Sequence, residues 1–60
     1  MTNLNQMELN AIREVVGNHI TSAAKLMEYA ERCQDPQIKQ MFHQSSMDAA
    51  KNAQDLINML

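Results

Sequence analysis

The side chains of this 60-residue chain that could do chemistry are two histidines, one cysteine and seven carboxylates. A di-iron carboxylate centre in a helical bundle needs inward-facing glutamates and Glu-x-x-His pairs. No acidic residue here has a histidine three positions later, because Val16 precedes His19 at that spacing and Gln40 precedes His43. The spacing therefore predicts no metal site. His19 and His43 remain as candidate ligands. For His19, the site would consist of the His19 side chains of two subunits that meet at a dimer axis.

Each candidate ligand also has a simpler interpretation. His19 fits a half-buried neutral histidine with a hydrogen-bond partner, and His43 fits a surface residue. Cys33 is the only cysteine, so no disulfide can form within the chain, which favours a reducing compartment. A cysteine at the end of an apolar helical face is more often a packed residue than a nucleophile. We predict no catalytic residue, no cofactor and no enzymatic activity.

The charge pattern argues against several classes of partner. The net charge is −2, with both signs interspersed, so no basic cluster is available for nucleic acid. Tyr29 and Phe42 are the only aromatic residues, which leaves no platform for stacked bases. No apolar run approaches the roughly 18 residues of a membrane span. Residues 1–5 lack the pattern of a signal peptide, so we expect a cytoplasmic protein.

Apolar periodicity predicts a first helix over about residues 5–33. Asn5 is a good N-cap, and Glu8 stands three residues later, as in a capping box. Apolar or small residues then recur in alternating steps of three and four, which brings them to one helix face: Leu9, Ile12, Val16, His19, Ala23, Leu26, Ala30 and Cys33. Three further apolar residues widen this face: Val15, Ile20 and Met27.

Gly17 lies inside this helix, where glycine costs about 1 kcal/mol relative to alanine. Two interpretations stay open. The glycine is either a tolerated exposed residue, which we favour, or a point where the helix kinks or a neighbouring backbone comes close.

A turn at residues 34–36 separates the two helices. Proline disfavours helical geometry in the residue before it, while Asp35 is a good N-cap and Pro36 a good first helical residue. The second helix is predicted over about residues 36–60, antiparallel to the first because the connection is short. Its inner face is predicted to comprise Ile38, Phe42, Ser45, Ala49, Ala53 with Asn52, Leu56 and Leu60, and to be broadened by Met41, Ile57 and Met59. The middle of this face is small and polar: Ser45, Ser46, Ala49, Ala50 and Ala53.

A chain of this length buries only about 60% of the surface that its unfolded form exposes, so it needs a partner. The predicted fold is all-α: an antiparallel two-helix hairpin that dimerises into a four-helix bundle. The predicted core and dimer face consists of Leu9, Ile12, Val16, His19, Ala23, Leu26, Ile38, Phe42 and Leu56.

The segments Ala24–Ala30 and Asp35–Lys39 resemble the spore coat protein F-like family of spore-forming bacteria, and the resemblance extends over about residues 8–60. The matching residues are Lys25, Tyr29, Ala30, Asp35, Pro36, Ile38 and Lys39. Family members often carry a histidine and more acidic residues in the second helix, where this chain has Ser46, Met47, Ala49 and Ala50.

The resemblance implies a ferritin-like half bundle that serves as a structural or assembly protein in sporulation. Its location would be the spore coat and its partners other coat proteins. Two further classes remain as alternatives: a metal-binding ferritin-like bundle, and a small helical module that binds a partner helix.

We predict no stoichiometric transition metal, because the Glu-x-x-His pairs are missing. The measurement is elemental analysis of protein purified without chelator or affinity tag. One or more iron, manganese or zinc ions per chain would contradict the prediction.

Overall fold

In the computed structural model, which describes residues 4–60, the chain forms two α-helices and no strand. Helix α1 spans Gln6–Arg32 and helix α2 spans Pro36–Ile57. A 27-residue helix is about 40 Å long, and the molecule measures 46 × 15 × 10 Å. The two helices therefore lie side by side as a hairpin, which confirms the all-α hairpin prediction. Residues 1–3, part of the segment considered for a signal peptide, lie outside the described residues.

The predicted capping box starts α1. The Glu8 backbone N–H donates to Asn5 Oδ1 at 2.7 Å, and the Asn5 backbone N–H donates to Glu8 Oε1 at 3.2 Å. These two bonds satisfy backbone donors that have no partner inside the helix. Leu4 and Leu9 occupy the positions of a hydrophobic staple on either side of the box, and both are half-buried. The entry into α1 is thus determined by local sequence.

The reversal between the helices is equally local. The Cys33 backbone N–H donates to the carbonyls of Tyr29 and Ala30, at 3.0 and 3.3 Å, and closes α1. Asp35 Oδ1 then accepts the backbone N–H groups of Gln37 and Ile38, at 2.8 and 3.2 Å, and so caps α2. Proline as the first residue of α2 has no N–H that would need a partner.

Helix α2 ends at Ile57, earlier than the predicted end at residue 60. Beyond it the N–H groups of Met59 and Leu60 donate to the carbonyls of Leu56 and Ile57, each at 3.0 Å. These bonds span three residues, so the chain tightens into a turn instead of continuing as an α-helix.

Only small side chains are buried between the helices. Ala30 is 1% exposed, Ala53 3% and Ser46 5%, and no large side chain of residues 4–60 is fully buried. Two helices enclose a single line of contact, whereas a bundle of four encloses a volume. The hairpin therefore has no closed core. It has a line of contact between the helices, called the seam, at which Ala30, Ser46 and Ala53 are buried.

The outward face of the hairpin is polar. Arg32 pairs with Glu28 at 2.8 Å and Lys51 with Asp55 at 3.1 Å, each pair one helical turn apart and exposed. Over the described residues, neither helix combines the length and apolar character needed to cross a membrane.

Replacing Asp35 by alanine removes the acceptor of both capping bonds of α2. We expect Asp35→Ala to lower the free energy of unfolding by about 1 kcal/mol. Urea denaturation at one fixed protein concentration measures the change. Asp35→Asn retains an acceptor oxygen and is the matched control, expected close to wild type. Coincident midpoints and equal slopes for wild type and Asp35→Ala would contradict the cap assignment.

Candidate functional site

The inner face of α1 is the one that the alternating steps of three and four predict. Ala30 is buried there, and the other members of the predicted face are half-buried: Leu9, Ile12, Val16, His19, Ala23, Leu26 and Cys33. Residues three and four apart share a helix face, so one partner helix covers them all. Whether the same residues also face a second chain stays a prediction.

The inner face of α2 differs from the prediction at four positions, which are exposed within the hairpin: Ile38, at 46%, Ser45, Asn52 and Leu60. Of the two serines predicted at the middle of this face, Ser46 is buried and Ser45 is exposed, so the prediction of Ser45 was wrong. The covered residues are Phe42, Ser46, Ala49, Ala53 and Leu56. Their steps are four, three, four and three, so the alternation that holds along α1 also selects Ser46 over Ser45.

Ser46 joins the two helices at the middle of the seam. Its hydroxyl donates to the backbone carbonyl of Ala23 at 2.8 Å. The serine side chain is short, so this bond requires the two backbones to lie close together. The Ala23 carbonyl can accept a second hydrogen bond beside its helical one, because a carbonyl oxygen has two lone pairs. No buried side-chain nitrogen or oxygen within residues 4–60 lacks a partner.

Tyr29 and Phe42 form the second contact between the helices, near the turn. Their ring centroids are 6.0 Å apart and the rings are tilted by 53°. Tilted pairs at this separation are favoured by the electrostatics of aromatic rings. Together with the Ser46–Ala23 bond, this pair determines how each helix is rotated about its own axis.

The structure does not bring the candidate chemical residues together. His19 is half-buried on the seam, and His43 is exposed. Cys33 lies two heptads after His19, about 21 Å further along the axis. No group of three or more His, Cys, Asp or Glu side chains in the described part of the chain is arranged to hold a metal ion. Within residues 4–60, His19, His43 and Cys33 therefore lie at separate places on the hairpin.

Two apolar flanks border the seam, and the two inter-helix contacts distinguish them. Ala23 and Ser46 lie on one side of the seam. Met27 and Ala50, each four residues later on the same helix, lie further out on that side. This surface, called flank A, comprises Gly17, Ile20, Ala24, Met27, Met47, Ala50 and Ile57. Tyr29 and Phe42 lie toward the other side, called flank B, which comprises Val15, Tyr29, Ile38, Met41 and Met59.

Large apolar side chains on both flanks are exposed. Ile20 and Met47 on flank A are each 54% exposed, and Met41 on flank B is 68% exposed. Large exposed apolar side chains that helical spacing places along one side of a hairpin are candidates for an interaction site. The two flanks are therefore the candidate functional site.

No protein-family model matches the chain, and neither the search of curated proteins nor that of solved structures found a match. The resemblance to the spore coat protein F-like family consequently has the residues quoted above as its support. The function has to be argued from the seam and the flanks.

Replacing Ser46 by alanine removes the hydrogen bond that joins the helices, and Ser45→Ala is a matched control on the exposed neighbour. Both variants gain helix propensity, by a few tenths of a kcal/mol. We expect Ser46→Ala to be less stable than Ser45→Ala by about 1 kcal/mol, the net contribution of one hydrogen bond. Urea denaturation of both variants measures the difference. Equal midpoints would show that the hydroxyl contributes nothing to the seam.

Proposed function

We propose that the chain is a non-enzymatic assembly protein that acts through helix–helix association. Its first partner is a second copy of itself, and two hairpins together form a four-helix bundle. The observation that carries the proposal is the apolar surface that one hairpin leaves exposed on its flanks.

The solvent-exposed area of the hairpin is consistent with a partner about as large as a second hairpin. The hairpin exposes 4755 Å², whereas a compact monomer of 6.8 kDa exposes roughly 4,000 Å². The excess of roughly 800 Å² per chain corresponds, for two chains, to a protein–protein interface of standard size. The Cα radius of gyration is 14.1 Å, against about 10 Å for a globular chain of this length.

The weakness of the seam points in the same direction. A large buried apolar side chain contributes about 1.5–3 kcal/mol, and none is fully buried within residues 4–60. The seam residues Ala30, Ser46 and Ala53 bury little apolar area each. A second hairpin would cover half-buried and exposed side chains at once and enclose a volume between four helices.

A role in the spore coat is the biological setting that the family resemblance supports. The quoted match around Asp35 and Pro36 is the basis for it, and other coat proteins would then be further partners. Following a fluorescent fusion in the native cell through growth and sporulation tests this setting. Uniform cytoplasmic fluorescence at every stage would contradict it, without bearing on self-association.

The alternative of a small module that binds a foreign helix uses the same flanks. The two functions differ in what copurifies with the chain from the native cell. The alternative predicts a different protein in stoichiometric amount, whereas self-association predicts a second copy of the same chain. The metal-binding alternative has less support, because His19 faces the seam and His43 faces away from it.

We expect the purified chain to be a dimer at micromolar concentration. Light scattering coupled to size exclusion measures its mass, and the melting temperature should rise with protein concentration because association stabilises the folded form. A fully helical particle of 6.8 kDa that melts at a concentration-independent temperature would contradict the proposal.

A further inference from the structure

We infer that the second copy docks flank A against flank A, about a two-fold axis that crosses the helices near Ser22. In this arrangement α1 packs antiparallel on the partner's α1, and α2 antiparallel on the partner's α2. The inference rests on the proposed self-association and specifies its surface and its register.

Charge distribution selects flank A over flank B. Interface centres are depleted of charged residues. Both ion pairs of the hairpin lie on the outward side toward flank B, where the helical spacing also places the following charged residues: Lys25, Arg32, Asp48 and Asp55. The line along α1 that forms flank A carries charge only at its two ends, Arg13 and Glu31.

This line along α1 is symmetric in its spacing. Its members follow one another in steps of four, three, four, three and four, centred on Ser22: Arg13, Gly17, Ile20, Ala24, Met27 and Glu31. A two-fold axis through that centre pairs each residue with the one equally far on the other side. Such an interface is self-complementary, as a two-fold homodimer requires.

The residues paired in this way are complementary in size. The axis sets Ile20 against the partner's Ala24, and Met27 against the partner's Gly17. A large side chain thus meets a small one at each central position, which lets two helices approach closely without voids.

Gly17 has no function within the hairpin alone. A Cβ atom added at this position would meet nothing within 4 Å, so the hairpin itself does not require glycine. A glycine in a helix interior is unfavourable. Contact with the partner's Met27 would account for its presence, which is the close-approach interpretation left open above.

The same axis serves α2. Met47 and Ala50 are a large and a small residue equally far from the level between Asp48 and Ala49. The Ser46–Ala23 hydrogen bond and the Tyr29–Phe42 contact bring that level of α2 beside the Ser22 level of α1. One two-fold axis therefore passes through the centre of symmetry of both helices, although the centre on each helix was located from the spacing of that helix alone.

The charges at the ends agree with this axis as well. Arg13 and Glu31 are exposed, and neither forms an ion pair within the part of the chain that the structure describes. The axis places Arg13 beside the partner's Glu31, and symmetry forms this pair twice. Opposite charges at these positions set the register of an interface more than its affinity.

The test measures the dimer dissociation constant by sedimentation equilibrium, with helicity recorded at the same concentrations. Ile20→Glu and Val15→Glu form a matched pair, since both replace a β-branched residue of α1, one on each flank. We expect Ile20→Glu to raise the dissociation constant by about 100-fold or more, because it buries an unpaired charge. Val15→Glu should stay within about threefold of wild type, as a surface substitution does.

A charge exchange tests the axis independently of any loss of folding. Arg13→Glu and Glu31→Arg each create two like-charge contacts across the interface, and each should raise the dissociation constant on the order of tenfold. The double variant Arg13→Glu/Glu31→Arg restores opposite charges and should return to within about threefold of wild type.

Each failure has its own meaning. A dimer that survives Ile20→Glu, or one that Val15→Glu disrupts, overturns the assignment of flank A and leaves the proposed function standing. A double variant at least as weak as the single variants overturns the axis. A wild-type chain that remains monomeric at all concentrations overturns the proposed function together with this inference.

Discussion

The hydrogen bond from the Ser46 hydroxyl to the Ala23 carbonyl, 2.8 Å long, sets the separation and the facing of the two helices. A donor on so short a side chain reaches a backbone acceptor only when the helices are close, and the residues buried beside the seam, Ala30 and Ala53, are correspondingly small. The larger residues of the two inner faces, among them Leu26, Phe42 and Leu56, are only half-buried. Further large apolar residues lie at the borders of the seam, where they form the two flanks.

This displacement links packing to function. A seam lined by alanine and serine buries little apolar area, so the hairpin gains little free energy of folding from its own interior. The same geometry leaves isoleucine and methionine side chains exposed, where the proposed partner would contact them. Methionine suits such a surface, because its unbranched thioether adapts to irregular contacts. Stability and association are therefore expected to depend on the same surface. Isolated hairpins are expected to be less stable than associated ones.

The two flanks are unequal. Flank A is bordered by few charges and has a spacing that is symmetric about one level of the hairpin, whereas flank B adjoins the exposed charged side chains. In the proposed dimer, this asymmetry selects flank A for the first partner and leaves a second apolar surface, around Met41, on the outside. The proposed assembly role depends on such a surface, because a closed dimer without one cannot add further components.

The sequence alone was sufficient for the two helices and for the residues at which they begin, whereas α2 ends earlier than predicted. Asn5, Glu8 and Asp35 act through hydrogen bonds to backbone groups within three residues, so their effect does not depend on the rest of the fold. Pro36 acts equally locally, because it has no N–H that would need a partner. The alternating steps along α1 likewise identified its covered face. The alternation of steps along α2 selects Ser46 over Ser45 as the covered serine. The tertiary structure was required to show that the Ser46 hydroxyl meets an acceptor, because that acceptor, the Ala23 carbonyl, belongs to the other helix. The division into two flanks also required the tertiary structure. Periodicity shows which residues share a face of one helix, whereas only the contacts between the helices show which faces of α1 and α2 lie on the same side of the hairpin.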